Sequence, residues 1–251
     1  MLQDLLNLNL FAFFMIFVRV GTALAFMPGF AASYVNLRVR LHFALATALA
    51  LTPLLAGRLP VVPADASLMV LIIAAEALIG LFFAALMRGL MFAVVMAGTI
   101  MSFVSSFANA LTQDAIAESQ SSIISGFLNI SAIVMVFVTD THHLMLAAVV
   151  ESYEWMAPGS PIMVGDMADL LARHIQDAAL LGVRLAAPLI VVGMVYNILI
   201  GLLSRLMPAL PVFFFGIPIQ MMAQFAVLAL AFSSIMLVFI RFYEDRLMSI
   251  L

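Results

Sequence analysis

The chain has 251 residues, 66% of them hydrophobic and only 9% charged, which leaves too little polar surface for a soluble domain of this length. Its formal net charge is −3 and it contains no lysine, so the basic patch that nucleic-acid binding requires is missing. It has no cysteine, which excludes disulfides, thiolate metal sites and a cysteine nucleophile. Several runs reach the ~20 apolar residues that cross a bilayer core, so the expected fold is all-α, a polytopic membrane-type protein.

Residues 1–9 carry Asp4 and no basic residue, so they lack the n-region of a cleavable signal peptide and the first helix is expected to stay in the mature protein. The first apolar segment, 8–30, is interrupted by Arg19 and closed by Pro28 and Gly29. A charge at mid-helix costs roughly 2.5–3.5 kcal/mol on insertion scales, so Arg19 calls for a partner, a wet cavity or a route to the interface. Arg38 and Arg40 mark a cytoplasmic loop by the positive-inside rule. The segment 41–56 follows, then a linker broken by Pro60 and Pro63. Residues 67–111 are apolar almost throughout and too long for one span, so a break is expected near Arg88 and Gly89, giving segments 67–88 and 89–111. Glu76 and Arg88 are about 18 Å apart along one helix and cannot pair within it. Glu76 either pairs with Arg19 across two helices, or each of these charges faces water separately.

The segment 122–150 contains Asp140, His142 and His143, and an acidic linker, 151–177, holds Pro158, Gly159 and Pro161, with a short amphipathic helix possible over 170–176. The segment 178–203 carries Arg184 near its start and Pro188 inside it, where a kink is expected. Residues 204–218 contain Pro208, Pro211, Gly216 and Pro218, which forbid a continuous helix there. The last apolar segment is 213–240, and a short charged tail follows. With about six spans and Arg38 and Arg40 inside, Arg205 falls outside, against the positive-inside rule. Either a segment is broken, with 140–143 the expected place, or the apolar segments do not all span.

The most polar run in the middle of the chain is 102–122, SFVSSFANALTQDAIAESQSS. Before it, Gly98, Ser102, Ser106 and Ala110 recur at every fourth position, and Ser121, Ser125 and Asn129 keep that spacing beyond it. Four-residue spacing lines up one helix face, and small side chains there let two backbones approach closely in an apolar medium. The pattern gives two helices with close-packing faces joined by a polar tip at 111–119. That tip is either an ordinary connection or a segment in a protein-lined cavity, the only setting in which non-helical backbone is tolerated at membrane depth.

Catalytic signatures are weak. Asp140, His142, His143 and Glu151 offer metal-ligand types, but zinc sites need three or four ligands with supporting partners, no His-Glu-x-x-His motif occurs, and an interfacial or helix-capping role suits them better. No serine sits in a Gly-x-Ser-x-Gly turn, and no glycine loop is built for phosphate. Methionines 87, 91, 96 and 101 precede the polar run and Met221 and Met222 follow the proline break, as gap-fillers or as a deformable lining.

Four blocks, in order, carry a resemblance: Arg19-Val-Gly21 with Pro28 and the Arg38/Arg40 loop; Glu76-Ala-Leu-Ile-Gly80; Asp140-Thr-His-His143 leading to Ser152; and Ser204-Arg205, Pro208 and Phe213-Phe-Phe-Gly216-Ile-Pro218. In that order and spacing the whole chain resembles the FliR family of flagellar biosynthesis proteins, which includes the equivalent subunit of type III secretion injectisomes. Asp114-Ala115 departs from the Asp-Pro expected in many relatives. The resemblance implies a single export-gate domain, 1–251, built of long kinked helical hairpins. It implies a core subunit of the flagellar type III export gate in the bacterial inner membrane and flagellar basal body. Its implied partners are several copies of FliP and FliQ, with further contact to FlhB and FlhA, lipid, and unfolded flagellar substrates; no cofactor and no enzymatic activity are implied. It further implies that many apolar helices sit above the bilayer plane, and that a loop plugs the closed pore. By position that plug is 107–119, with Phe107, Leu111 and Ile116 filling the lumen and Asn109, Gln113, Asp114 and Glu118 among its polar positions. A secondary transporter for a small solute, suggested by the broken helices and by Arg19, Glu76 and Arg184, is the alternative.

Overall fold

The computed structural model describes residues 2–32, 34–60, 62–105, 123–161, 163–207 and 212–251. Among them there are seven α-helices and no strand: α1 (Leu2–Phe26), α2 (Leu37–Leu55), α3 (Ala66–Val104), α4 (Ile123–Val138), α5 (Thr141–Trp155), α6 (Val164–Leu206) and α7 (Val212–Met248). A single 3₁₀ turn, Ala56–Arg58, extends α2.

Local chemistry sets most of the boundaries. α1 ends where Pro28 and Gly29 follow it, Gly29 taking a left-handed φ of 80° that favours glycine. Asn36 caps α2, its Oδ1 accepting the Arg38 amide at 2.9 Å. Past the Pro60 and Pro63 linker, Asp65 caps α3: Ser67 donates its amide to Oδ1 at 3.1 Å and its hydroxyl to Oδ2 at 2.6 Å. The hydroxyl bond first, and the amide bond second, hold the Asp65 carboxyl below its ordinary range. Between α4 and α5, Asp140 adopts φ 59°. A short polar side chain tolerates this left-handed conformation better than most.

Three elements run longer than the sequence suggested. α3 is continuous through Arg88 and Gly89, so the break expected there does not occur. Arg88 lies on the exposed face, and one helical glycine costs only about 1 kcal/mol. α6 starts at Val164, well before residue 178, and absorbs the proposed 170–176 helix; Asp166 sits favourably in its first turn, and the helix runs on through Pro188. α7 starts at Val212, so Gly216 and Pro218 lie inside a helix. Near a helix start the missing Pro218 amide removes only the bond to the Phe214 carbonyl. Pro208 and Pro211 fall outside the described residues.

Among the described residues, four helical stretches are long and apolar enough to cross a membrane, Leu37–Arg58, Ala66–Val104, Val164–Leu206 and Phe214–Met248, with the α4–α5 pair as a fifth and Leu10–Phe26 as a shorter apolar stretch. α3 unites two of the expected segments. At 1.5 Å per residue α3, α6 and α7 are roughly 58, 64 and 55 Å long, nearly twice the ~30 Å of a hydrocarbon core.

The chain divides into two compact units. The first comprises Met1–Leu90, Asp140–His174 and Glu244–Leu251, and the second Met91–Thr139 and Ile175–Tyr243. The core of the first is built from Met15, Ile16, Leu24, Leu86, Met87 and Tyr153, and that of the second from Val94, Met101, Leu128, Leu189 and Phe239. Met87, Met91 and Met101 are buried gap-fillers, whereas Met222 is exposed.

Candidate functional site

In the first unit a buried ion pair ties three segments together. Arg19 of α1 and Glu76 of α3 are both fully buried. Arg19 Nε donates to Glu76 Oε2 at 2.6 Å, and Nη2 donates to Oε1 at 2.9 Å. Nη1 donates to Ser152 Oγ at 3.0 Å, and Nη2 also donates to the Met156 carbonyl at 2.9 Å. The guanidinium carbon lies 3.9 Å from the centre of the Tyr153 ring. Arginine suits this role because its planar fork meets both carboxylate oxygens at once while a face remains free to stack.

Gly80, one turn beyond Glu76 on α3, makes room for the pair. A Cβ there would overlap the Thr22 hydroxyl and the Arg19 carbonyl oxygen, and would lie 3.1 Å from the Arg19 carbonyl carbon. With hydrogen in its place, the backbones of α1 and α3 close until the carboxylate reaches the guanidinium. The pair neutralises two charges that would each be costly alone in an apolar medium. Both Glu76 oxygens, the Ser152 hydroxyl and the Met156 carbonyl accept from Arg19, so the arrangement ties α1, α3 and the end of α5 together.

In the second unit the close-packing faces meet at the ends of α3 and α4. A Cβ on Gly98 would overlap Ser125 Cα and sit 2.8 Å from Ser125 N. Ser125 Oγ donates to the Val95 carbonyl at 3.0 Å, and Ser102 Oγ to the Gly98 carbonyl at 2.9 Å. α6 and α7 complete the neck. Gln220 Nε2 donates to the Val104 carbonyl at 3.0 Å, and Gln224 Nε2 to the Leu189 carbonyl at 3.2 Å. The described parts of α3 and α4 end on either side of residues 106–122.

Of the residues singled out in the sequence, the structure brings Arg19 to Glu76, and Gly98 and Ser102 to the α3–α4 neck. It does not bury Arg88 or Arg184 as expected: both are exposed, on faces of α3 and α6 turned away from the buried Leu86, Met87 and Leu90 and from Leu185 and Ala186. Ser106, Ala110 and the plug candidates Phe107, Asn109, Leu111, Gln113, Asp114, Ile116 and Glu118 lie outside the described residues. Tyr153, the Met156 carbonyl, Gln220 and Gln224 carried no expectation. A signal for the glutamines existed: two amides four residues apart inside an apolar run share one helix face.

Asp140, His142 and His143 each place one ligand atom within 4.8 Å of the others. Asp140 and His143 are largely open to solvent, with Asp140 Oδ1 3.8 Å from His143 Nδ1. The trio supplies the ligand types for a metal but not the closed, supported geometry of a structural site.

The chain is similar to known proteins over most of its length. The profile of the family "Bacterial export proteins, family 1" matches residues 10–245. The flagellar biosynthetic protein FliR of Caulobacter vibrioides is 34% identical over 233 residues, covering 93% of each chain. FliR of Bacillus subtilis is 25% identical over 230 residues, 90% of this chain and 88% of that one. FliR of Pectobacterium carotovorum is 25% identical over 209 residues, 83% and 79% of the two.

Proposed function

Because the chain belongs to the bacterial export proteins, family 1, and is a membrane-embedded subunit of the flagellar type III export apparatus, we propose that it helps form and plug the export pore. In this reading the chain acts as one export-gate domain, 1–251, in the bacterial inner membrane. Its partners are FliP and FliQ, with FlhB and FlhA beyond them, and unfolded flagellar proteins pass through the assembly. Its role is structural: it builds and closes a conduit and catalyses no bond change.

The observation that carries the plug reading is the α3–α4 neck. Gly98 and Ser125 bring two helix backbones into direct contact, and Ser125 ties them by a side-chain bond to the Val95 carbonyl. The polar sequence 106–122 follows one of these helices and precedes the other. The composition of 107–119 fits a plug, because it offers apolar side chains to exclude ions and amides to satisfy buried backbone. Deleting 109–118 tests it. The gate should still assemble with its partners while the membrane becomes leaky to small ions; an assembled gate with unchanged leakage refutes the plug.

A further inference from the structure

We propose that Gln220 and Gln224 of α7 are positioning residues for the pore, a side-chain clamp that fixes the C-terminal end of α3 at the base of the segment that follows it. The inference rests on the plug reading above and adds to it the residues that hold the plug's base.

The last carbonyls of a helix have no partner within it and must find one elsewhere. At the end of α3 the Met101 carbonyl accepts both the amide of Ser105 at 2.9 Å and its hydroxyl at 2.6 Å. The Val104 carbonyl accepts the side-chain amide of Gln220 at 3.0 Å. Gln220 is 3% exposed and reaches the partly buried Val104 carbonyl from the buried side of the helix end. One turn further along α7, Gln224 donates to the Leu189 carbonyl of α6 at 3.2 Å, which fixes α7 against α6. Gly193 of α6 makes the approach possible: a Cβ there would overlap the Val104 side chain and lie 2.9 Å from Gln224 Nε2. All of these residues belong to one compact unit.

Gln224 is 1% exposed and Gln220 3%, so both side-chain amides donate from buried positions.

The test compares Gln220→Leu and Gln224→Leu in the assembled gate. Each removes the amide at nearly constant shape. Hydrogen exchange of the amides at 101–105 is read alongside ion leakage through the membrane. Gln220→Leu orphans the Val104 carbonyl and should speed that exchange roughly tenfold, with a rise in leakage. Gln224→Leu leaves the Val104 bond in place and removes only the bond to Leu189 of α6, so it should change exchange at 101–105 severalfold less. If Gln220→Leu does not assemble, Gln220→Asn takes its place, keeping the amide but withdrawing it by one carbon. Unchanged exchange in the Gln220 variant overturns the clamp. Faster exchange without leakage, in a gate where deleting 109–118 does leak, overturns its positioning role. If deleting 109–118 does not leak either, the plug reading fails, and with it the clamp's part in the pore.

Discussion

Replacing Glu76 by leucine should destabilise the protein severely. It leaves Arg19 fully buried with its charge uncompensated, keeping only the Ser152 hydroxyl, the Met156 carbonyl and the Tyr153 ring. Truncating one partner of a buried pair costs about 3–5 kcal/mol, a large fraction of a total stability of roughly 5–15 kcal/mol. Arg19→Leu should cost a similar amount, since both Glu76 oxygens lose the donors they now accept from. The double variant should suffer less than either single one. Both charges are then gone, and Ser152 Oγ keeps its 2.6 Å bond to the Val149 carbonyl. Only the Met156 carbonyl loses its donor, worth about 1–3 kcal/mol. The cycle therefore predicts a coupling of at least ~3 kcal/mol between the two sites. The assay is thermal unfolding of the detergent-solubilised protein by fluorescence-detected size exclusion. Each single variant should lower Tm by roughly 6–20 °C, and the double variant by clearly less. Single variants that shift Tm by no more than a surface substitution, or a double variant equal to their sum, would refute the account of the pair.

Glycine substitutions should separate by position. Gly80→Ala drives a methyl into Thr22 and the Arg19 backbone and should destabilise by about 1–3 kcal/mol, whereas Gly201→Ala, with open space around it, should stabilise α6 by up to ~1 kcal/mol. Both are read as Tm shifts in the same detergent. Arg88→Gln and Arg184→Gln, at exposed positions, should leave the stability of the isolated chain within about 0.5 kcal/mol; a large loss for either would show that it is buried after all. The Asp65 cap should depend on pH. Its carboxyl is held below the ordinary 3.8, so its contribution is present above that value and fades as pH falls through the lower folded value. Nuclear magnetic resonance titration of the Asp65 carboxyl should give a midpoint below that of the same residue in Ser67→Ala, and equal midpoints would remove Ser67 from the explanation.

The sequence showed the helical class because hydrophobic runs of this length have few other solutions. It also pointed to Arg19 and Glu76, since two opposite charges in separate apolar runs each need a partner. The small-residue spacing at Gly98, Ser102 and Ser125 marked a close helix approach for the same kind of reason: only small side chains permit it. The long helices were not legible. Arg88, Gly89 and Pro218 read as breaks in one dimension, yet an exposed arginine face, one helical glycine and a proline near a helix start all leave a helix intact. The glutamine clamp escaped notice because neutral amides cost little in hydropathy, and their partners are backbone carbonyls far away in the chain. His142 and His143 drew attention by residue type, and with Asp140 they place ligand atoms within 4.8 Å of one another.

Native mass spectrometry of the tagged protein, purified gently from its own membrane, tests the central claim most directly. Membership in an export gate predicts this chain bound, as a single copy, to several copies of two small hydrophobic proteins in fixed ratio. A stable monomer or homodimer, free of such partners, would contradict it.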